Sequence, residues 1–289
     1  MIYLDDPDLG TLDLDCGDGY VVSEFTIGWP AERPVVRSRA LTDGVIDTTR
    51  YVGNRAVTVA LRLDNTGCAG FATQDLLDLV TPYLSPRRRP RLVWSVDQTP
   101  SNPLHIRSLE IRGVDAPFTV NAPKALTLVC QWVATESFSR ALDETCAIAQ
   151  LTGAAEGGRA YNLTYDRTYP ASSPFGVTYF TPSGNAPMTW TGTVTGALVD
   201  PELLVNGVTI QFSGLSITAG QTINIDTQAR TILRNNDPSD SVYDLTNFQA
   251  WTWDDLLLQP GQNQIRLEAA SSSGGSPAFT LCYYDRWHI

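Results

Sequence analysis

The sequence is poor in the residues from which most catalytic and metal sites are built. Only His105 and His288 are histidines, and Lys124 is the single lysine among 289 residues. Two histidines leave few ways to build a histidine-rich metal site or a serine–histidine–aspartate triad. The motifs GxSxG, HExxH, GxxxxGK and GxGxxG are also absent. We therefore expect no catalytic residue, no metal ligand and no cofactor, and predict that the protein is not an enzyme.

An excess of positive charge is missing as well. The chain has 20 basic and 31 acidic residues, a net charge of -11. Nonspecific binding of nucleic acid needs an excess of Lys and Arg to displace counterions. The charge balance therefore argues against a nonspecific nucleic-acid-binding protein. The one basic cluster contains Arg87, Arg88, Arg89 and Arg91. Because no aromatic residues are interleaved with it, we favour a solvated loop over a nucleic-acid site.

Neither a secretory signal nor a membrane span is recognisable. The first ten residues carry Asp5, Asp6 and Asp8, and no basic stretch is followed by an apolar run. The longest uncharged stretch, 168–199, is interrupted by several prolines. We expect no contact with a membrane, and synthesis in a cytoplasm.

The cysteines are few and irregularly spaced. They are Cys16, Cys68, Cys130, Cys146 and Cys282. An odd number at wide spacing argues against a disulfide framework and against a CxxC metal site. We expect free and mostly buried thiols.

The first half of the chain combines strands with one helix. Apolar and polar residues alternate at 57–63, 106–112 and 126–133, which predicts strands. Both faces of 126–133 are apolar, so we expect a central strand buried on two sides. Between Thr73 and Leu84 the period changes to that of an amphipathic helix, which should end near Thr81 because Pro82 follows.

The second half contains only strand patterns. The small and flexible run 152–159 predicts a linker, so we divide the chain into domains at 1–148 and 149–289. Short alternating segments separated by Gly, Pro and Asn then predict an antiparallel sandwich or jelly roll. Pro260 and Gly261 predict a type II turn, which Asn263 can brace by binding nearby backbone.

Two kinds of side-chain group are candidate sites. The acidic pairs are Asp5/Asp6, Asp143/Glu144 and Asp254/Asp255. Neighbours on a strand point to opposite faces, so we interpret these pairs as solvated surface groups. The aromatic group comprises Trp251 and Trp253, placed on one strand face, with Tyr243 and Tyr284. It could stack sugars, but we favour a role in the core or in a subunit interface.

Several short segments, taken in order, resemble those of a known family. In the first half they are 42–47 (Thr-Asp-Gly-Val-Ile-Asp), 51–55 (Tyr-Val-Gly-Asn-Arg) before the 57–63 strand, and the helix with its Pro/Arg loop and following strand. In the second half they are 225–227, a hairpin across Asn235 and Asn236, the 260–263 turn, and the aromatic strand 279–284 before Trp287. Together they resemble the distal tail proteins, ring-forming hubs of long flexible-tailed bacteriophages. Residues 134–137 depart from the family, which tends to have Asp-Pro there.

The resemblance implies a mainly β protein. Its N-terminal domain would be sandwich- or barrel-like with one α-helix and would form a ring of identical copies, a homohexamer. Its C-terminal domain would be a galectin-like or carbohydrate-module-like antiparallel β-sandwich. The implied role is a structural hub at the virion tail tip, assembled in the host cytoplasm. Its partners would be the tail tube, hub or tip and tape measure proteins, with DNA passing through without sequence-specific binding.

Two other functions stay open at this stage. The alternative is a carbohydrate-binding adhesin or accessory module that contacts the host cell surface. Receptor-binding proteins and host glycans are further candidate partners. A glycan-cleaving enzyme, which would need two carboxylates across a sugar, is less favoured than either.

Overall fold

A computed structural model describes residues 2–14, 20–28, 32–38, 45–52, 55–64, 73–95, 106–115, 118–122, 125–136, 138–151, 177–272 and 276–288. The chain divides into two compact units, Met1–Leu142 with Trp287–Ile289, and Asp143–Arg286. The division thus lies at 142/143, whereas the sequence pattern placed it at 148/149. The linker predicted at 152–159 lies outside the described residues.

The first unit is built around a ten-stranded sheet that includes β2-β1-β7-β8-β10-β6-β3 in spatial order. Its strands are β1 (Ile2–Asp6), β2 (Gly10–Asp13), β3 (Tyr20–Ile27), β6 (Ala56–Asp64), β7 (Arg91–Ser95), β8 (Ile106–Asp115), β9 (Phe118–Ala122), β10 (Ala125–Ala134), β11 (Ser139–Arg140) and β22 (Arg286–Trp287). The strands β4 (Glu32–Ser38) and β5 (Val45–Val52) form a separate two-stranded sheet.

One face of this sheet forms the core of the first unit. Val57, Val59 and Leu61 of β6 are fully buried, as the alternation predicts. On β10, Leu128 and Trp132 are buried on the same side, and the Trp132 indole N–H donates to the Tyr83 carbonyl at 3.4 Å.

The position of β10 is predicted correctly, but its burial is not. The strand lies between β8 and β6, as expected for a central strand. Burial on both faces is wrong, because Val129 and Val133 are only half-buried and Gln131 is exposed.

The helix begins and ends where the sequence predicts. Helix α1 (Thr73–Val80) stops before Pro82, and a 3₁₀ helix (Thr81–Leu84) continues it for one turn. Proline cannot donate the backbone hydrogen bond that an α-helix requires and clashes with the preceding turn. It is the single α-helix in the part of the chain that the structure describes, and none of the described helices has the length and apolar character needed to cross a membrane.

The second unit consists of two five-stranded antiparallel sheets. One has the order β12-β21-β14-β18-β19, and the other has β13-β20-β15-β16 with β17 beside β15. The strands are β12 (Thr145–Gln150), β13 (Val177–Phe180), β14 (Trp190–Thr195), β15 (Leu198–Val205), β16 (Val208–Gln211), β17 (Ser216–Ile217), β18 (Thr222–Asp226), β19 (Thr231–Arg234), β20 (Asn263–Ser272) and β21 (Ala278–Tyr283). The chain ends with β22 (Arg286–Trp287), which pairs with β11.

Both sheets of the second unit contribute to one core. Trp190, Ile225 and Phe279 come from the first sheet, and Leu203 and Ile265 come from the second. The predicted fold class is therefore confirmed: the protein is mainly β, with one helix in the first half and an antiparallel sandwich in the second.

The turn before β20 has the predicted structure. Gly261 adopts a φ of 100°, the left-handed value that glycine tolerates without a steric penalty. The Asn263 side chain accepts from the Gln259 N–H at 3.1 Å and donates to the Gln259 and Gly261 carbonyls at 2.8 Å. These bonds brace the turn as expected.

The expectation of free thiols is wrong for Cys146 and Cys282, which form a disulfide. Strands β12 and β21 place the two residues directly opposite each other, with their Cα atoms 4.0 Å apart. They are separated by 136 residues, so only strand pairing brings them together. Cys130 is a free buried thiol, and burial raises its pKa to about 12. Cys16 and Cys68 lie outside the described residues.

Residues near the end of the chain are anchored in the first unit. The Arg107 guanidinium lies 3.3 Å from the centre of the buried Trp287 ring, a close cation–π contact. Ser139 donates to the Trp287 carbonyl at 3.4 Å, and buried Arg55 donates to the His288 carbonyl. The His288 ring packs edge-on against Phe138 at 5.1 Å.

Reduction of the disulfide should destabilise the second unit. The cross-link limits the unfolded chain, so its removal is expected to lower the free energy of unfolding by about 2–5 kcal/mol. Hydrogen exchange with mass spectrometry, with and without reductant, measures this separately for peptides of 177–272. The variant Cys146→Ser should match the reduced wild type. Equal protection in the oxidised and fully reduced proteins would contradict the prediction.

Replacing Trp287 should destabilise the first unit. Trp287→Ala removes a buried ring and the contact with Arg107, for an expected loss of about 3–5 kcal/mol. Denaturant unfolding measures the loss, and Trp287→Phe, which keeps an aromatic ring, should lose less. Equal stability of Trp287→Ala and the wild type would show that the anchor is dispensable.

Candidate functional site

The acidic pairs do not form a catalytic centre. Asp5 and Asp6 lie on β1, with Asp5 exposed and Asp6 buried, so they point to opposite faces as predicted. Asp6 Oδ1 accepts from the Asp8 and Leu9 N–H groups at 3.0 and 3.1 Å and from Arg88 at 3.0 Å. This carboxylate therefore has a structural role in the β1–β2 turn.

The other two acidic pairs are exposed and lie outside strands. Asp143 and Glu144 precede β12, and Asp254 and Asp255 occupy a turn-rich loop. Asp255 accepts from the Thr252 side chain and backbone N–H, at 2.7 and 2.8 Å, and these bonds lower its pKa. A lowered pKa keeps the carboxyl ionised, which is opposite to what a general acid needs.

The histidine and metal candidates are explained by structural contacts. His288 takes part in the anchor described above, and His105 lies outside the described residues. Among the described residues, Glu144, Cys146 and Cys282 form a cluster of ligand-type atoms. Because the two sulfurs are bonded to each other, no thiolate is available to bind a metal ion there.

Three arginines of the basic cluster contact groups of their own chain. Arg88 forms ion pairs with Asp6 at 3.0 Å and Asp8 at 3.2 Å. Arg89 lies 3.4 Å from Glu110, and Arg91 donates to Ser108 at 3.2 Å. The ion pairs of Arg88 and Arg89 offset part of the positive charge that binding of a phosphate backbone would need. Arg91 lies on β7 and not in the loop.

The aromatic group is a compact cluster, but it is not on a strand. Tyr243 stacks on Phe248 at 5.4 Å and on Trp253 at 5.8 Å. Trp251 meets Trp253 edge-on at 5.4 Å and is 5% exposed. Both tryptophans lie in loops that follow the Tyr243–Leu245 3₁₀ helix. The prediction that Trp251 and Trp253 share one strand face is therefore wrong. Tyr284 directly follows β21.

This cluster closes one side of the second unit's core. The Trp251 indole donates to Asn247 Oδ1 at 3.0 Å, and Trp253 and Tyr243 are partly buried against the core. Phe248 is 40% exposed and forms the outer end of the stack. The core interpretation therefore holds for Trp251, while the stack extends to the surface.

Two open hollows border the hairpin turn Asn206–Gly207. One, of about 370 Å³, is lined by Tyr179, Asn206, Gly207, Gln259, Gln262, Asn263 and Gln264. The other, of about 450 Å³, is lined by Gly207, Val208, Thr209, Asn247, Ala250, Trp251 and Asp255. Sequence reasoning missed both hollows and also β15, although Asn-Gly between apolar runs is a recognisable hairpin signal.

Comparison with known proteins identifies the fold but leaves the sequence unmatched. No protein-family model matches the chain, and no curated protein matches it. The crystal structure of the phage SPP1 Dit protein, described as a hub of the adsorption apparatus in phages infecting Gram-positive bacteria, matches with a TM-score of 0.62. The match covers 99% of each chain at 12% identity.

The chain therefore has a distal-tail-protein fold. The resemblance predicted from the short segments is confirmed at this level. Chains of the phage P2 baseplate in its activated conformation, with Ca and with Sr, match less well, with TM-scores of 0.43 and 0.35 and identities of 13% and 12%. Each of these two matches covers 97% of the present chain and 96% of the baseplate chain. The assignment of a distal-tail-protein fold rests on the SPP1 match.

The two tryptophans of the cluster should differ in their contribution to stability. Trp251→Ala is expected to cost about 3–5 kcal/mol because it empties a buried site. Trp253→Ala should cost less, since its ring is only partly buried. Urea unfolding of both variants measures the difference. Near-wild-type stability of Trp251→Ala would instead mark the ring as a surface platform.

Proposed function

We propose that this protein is a structural component of a bacteriophage tail, a distal hub that forms a closed ring between the tail tube and the tail tip or baseplate. The observation that carries the proposal is the fold match to the SPP1 hub protein over 99% of both chains. A match over both units, in one chain order, supports a shared architecture rather than a shared single domain.

A free sheet edge supports assembly of identical copies. β3 ends the main path of the first unit's sheet, and β6 is the one described strand that pairs with it. It contains neither Lys nor Pro, which commonly protect such edges, and Val21 on it is 41% exposed. A head-to-tail contact through this edge would join each copy to the next. Such contacts build a closed ring when the rotation between neighbouring copies divides a full turn into equal steps.

The charge of the chain suits a channel for DNA. A net charge of -11 repels phosphate, so DNA would slide through the ring rather than adhere to its wall. Arg88 and Arg89 are paired with Asp6 and Glu110 of the same chain, which weakens the attraction of these arginines for DNA phosphate.

The remaining features of the proposal follow from this role. The ring would contain six copies and contact the tail tube protein on one side and the hub or tip and tape measure proteins on the other. It would assemble in the host cytoplasm and reside at the virion tail tip. The structural contacts of Asp6, Asp255 and His288 support a protein without catalytic activity.

Ring formation and the role of β3 can be tested together. The purified full-length chain, alone or with tail tube protein, should give a closed oligomer by light scattering and a ring with a central hole by negative-stain microscopy. The variant Val21→Lys/Thr26→Lys places charge at two exposed positions of the edge and should prevent assembly.

Gln211→Lys adds a similar charge on the exposed face of the second unit, and its ring should persist. A wild-type chain that stays monomeric at high concentration with tube protein present would refute the ring. Intact rings of the edge variant would refute the β3 contact while leaving the ring itself standing.

A further inference from the structure

Two sulfur atoms and one carboxylate lie close together in the second unit. A carboxylate oxygen of Glu144 and the Sγ atoms of Cys146 and Cys282 are all within 4.8 Å of one another. Glu144 and Cys146 are exposed, and Cys282 is half-buried. The group is therefore open to solvent, so a small thiol can reach the disulfide and a metal ion can reach the three side chains.

Strand pairing keeps the two cysteines together without the help of the bond. Strands β12 and β21 pair over six residues each, and β14 pairs with the other side of β21. The Thr178 hydroxyl donates to the Ile148 carbonyl at 2.7 Å, which ties β12 to a strand of the other sheet. On the inner side, Ala149 and Leu281 are buried in the core. None of these contacts involves sulfur, so the two cysteines stay opposite each other after reduction.

Reduction turns this group from a cross-link into a set of metal ligands. The thiolate of a small thiol attacks one sulfur and forms a mixed disulfide, and a second small thiol then resolves it. The two small thiols become a disulfide, and their two electrons and two protons pass to Cys146 and Cys282. A metal ion then displaces both protons to solvent, because the thiolate is the form that binds metal.

The three ligands select a zinc ion. Zn²⁺ binds thiolate sulfur at about 2.3 Å and carboxylate oxygen at about 2.0–2.2 Å. A tetrahedral ion holds such ligand atoms about 3–4 Å apart, which lies within the 4.8 Å limit of this group. Mg²⁺ and Ca²⁺ prefer a shell of oxygen atoms, which two sulfurs and one carboxylate do not supply. Three protein ligands leave the fourth position to a water molecule.

We propose that Glu144, Cys146 and Cys282 form a zinc site that exists only in the reduced protein. Oxidation removes the site, because the two thiolates give two electrons to a small disulfide, form the cross-link and release the ion. In both states β12 is joined to β21, by the metal ion or by the disulfide. A cytoplasm, where the proposed hub would assemble, supplies the reducing conditions. The site lies within the second unit and does not depend on the proposed ring.

Metal titration of the full-length chain tests this site. The protein is reduced with a phosphine, which adds no thiol that competes for the ion. It is then titrated with Co²⁺, whose spectrum reports thiolate ligands, and with Zn²⁺ in competition with a chromophoric chelator. The reduced wild type should show a sulfur-to-cobalt charge-transfer band and bind Zn²⁺ with a dissociation constant at or below about 1 μM. The oxidised wild type should bind roughly a hundredfold more weakly or not at all, because both thiolates are absent.

Cysteine variants show which thiols hold the ion. Cys146→Ser/Cys282→Ser should lose the charge-transfer band and bind Zn²⁺ roughly a hundredfold more weakly or not at all. Cys16→Ser/Cys68→Ser removes the same number of thiols elsewhere in the chain and should bind like the reduced wild type. A band that persists in Cys146→Ser/Cys282→Ser would overturn the proposal, and so would a band that disappears in Cys16→Ser/Cys68→Ser.

A pair of acidic variants tests the third ligand. Glu144→Gln should weaken Zn²⁺ binding roughly tenfold, because one of three protein ligands is lost. Asp143→Asn changes the neighbouring exposed carboxylate and should bind like the reduced wild type. Circular dichroism of each variant verifies that the fold is kept. Equal affinity of Glu144→Gln and the wild type would overturn the three-ligand site. A reduced wild type that binds no ion, or an oxidised one that binds as tightly, would overturn the proposal as a whole.

Discussion

Both units depend on strands and contacts supplied by residues 278–288. Strand β21 lies between β12 and β14, and it carries Phe279 and Leu281 into the core of the second unit. A few residues later, Trp287 belongs to the first unit and is buried against Arg107. Neither unit has its complete set of contacts until this segment is in place. Such pairing between distant parts of a chain is expected to slow folding, because loop closure costs entropy before the contacts form.

The same constraint explains the disulfide. Since β21 must pair with β12, its register brings Cys282 opposite Cys146. The bond then links the first strand of the second unit to one of its last. The strand pair cannot separate while the bond is intact.

The two units differ in what they expose. In the first, β3 stands at the end of the described strand order, and Val129 and Val133 lie on a half-buried sheet face. The second closes its core between two antiparallel sheets.

Local patterns were sufficient for much of the fold. Alternation identified β6, β8 and β10, Pro82 marked the end of α1, and the pair Pro260-Gly261 with Asn263 predicted a turn in detail. These features depend on interactions between residues close in the chain, and such interactions leave a periodic or positional signal in the sequence.

The sequence by itself determined a mainly β chain with one helix, an acidic surface and few groups suited to catalysis. Only the tertiary structure decided which cysteines pair, where the first unit ends, that one face of β10 is only half-buried, and that Gln259, Gln262 and Gln264 line a hollow with Tyr179. The reason is that each of these depends on strands distant in sequence lying side by side. Register and sheet order are set by the packing of the whole core, and no short window of sequence contains that information.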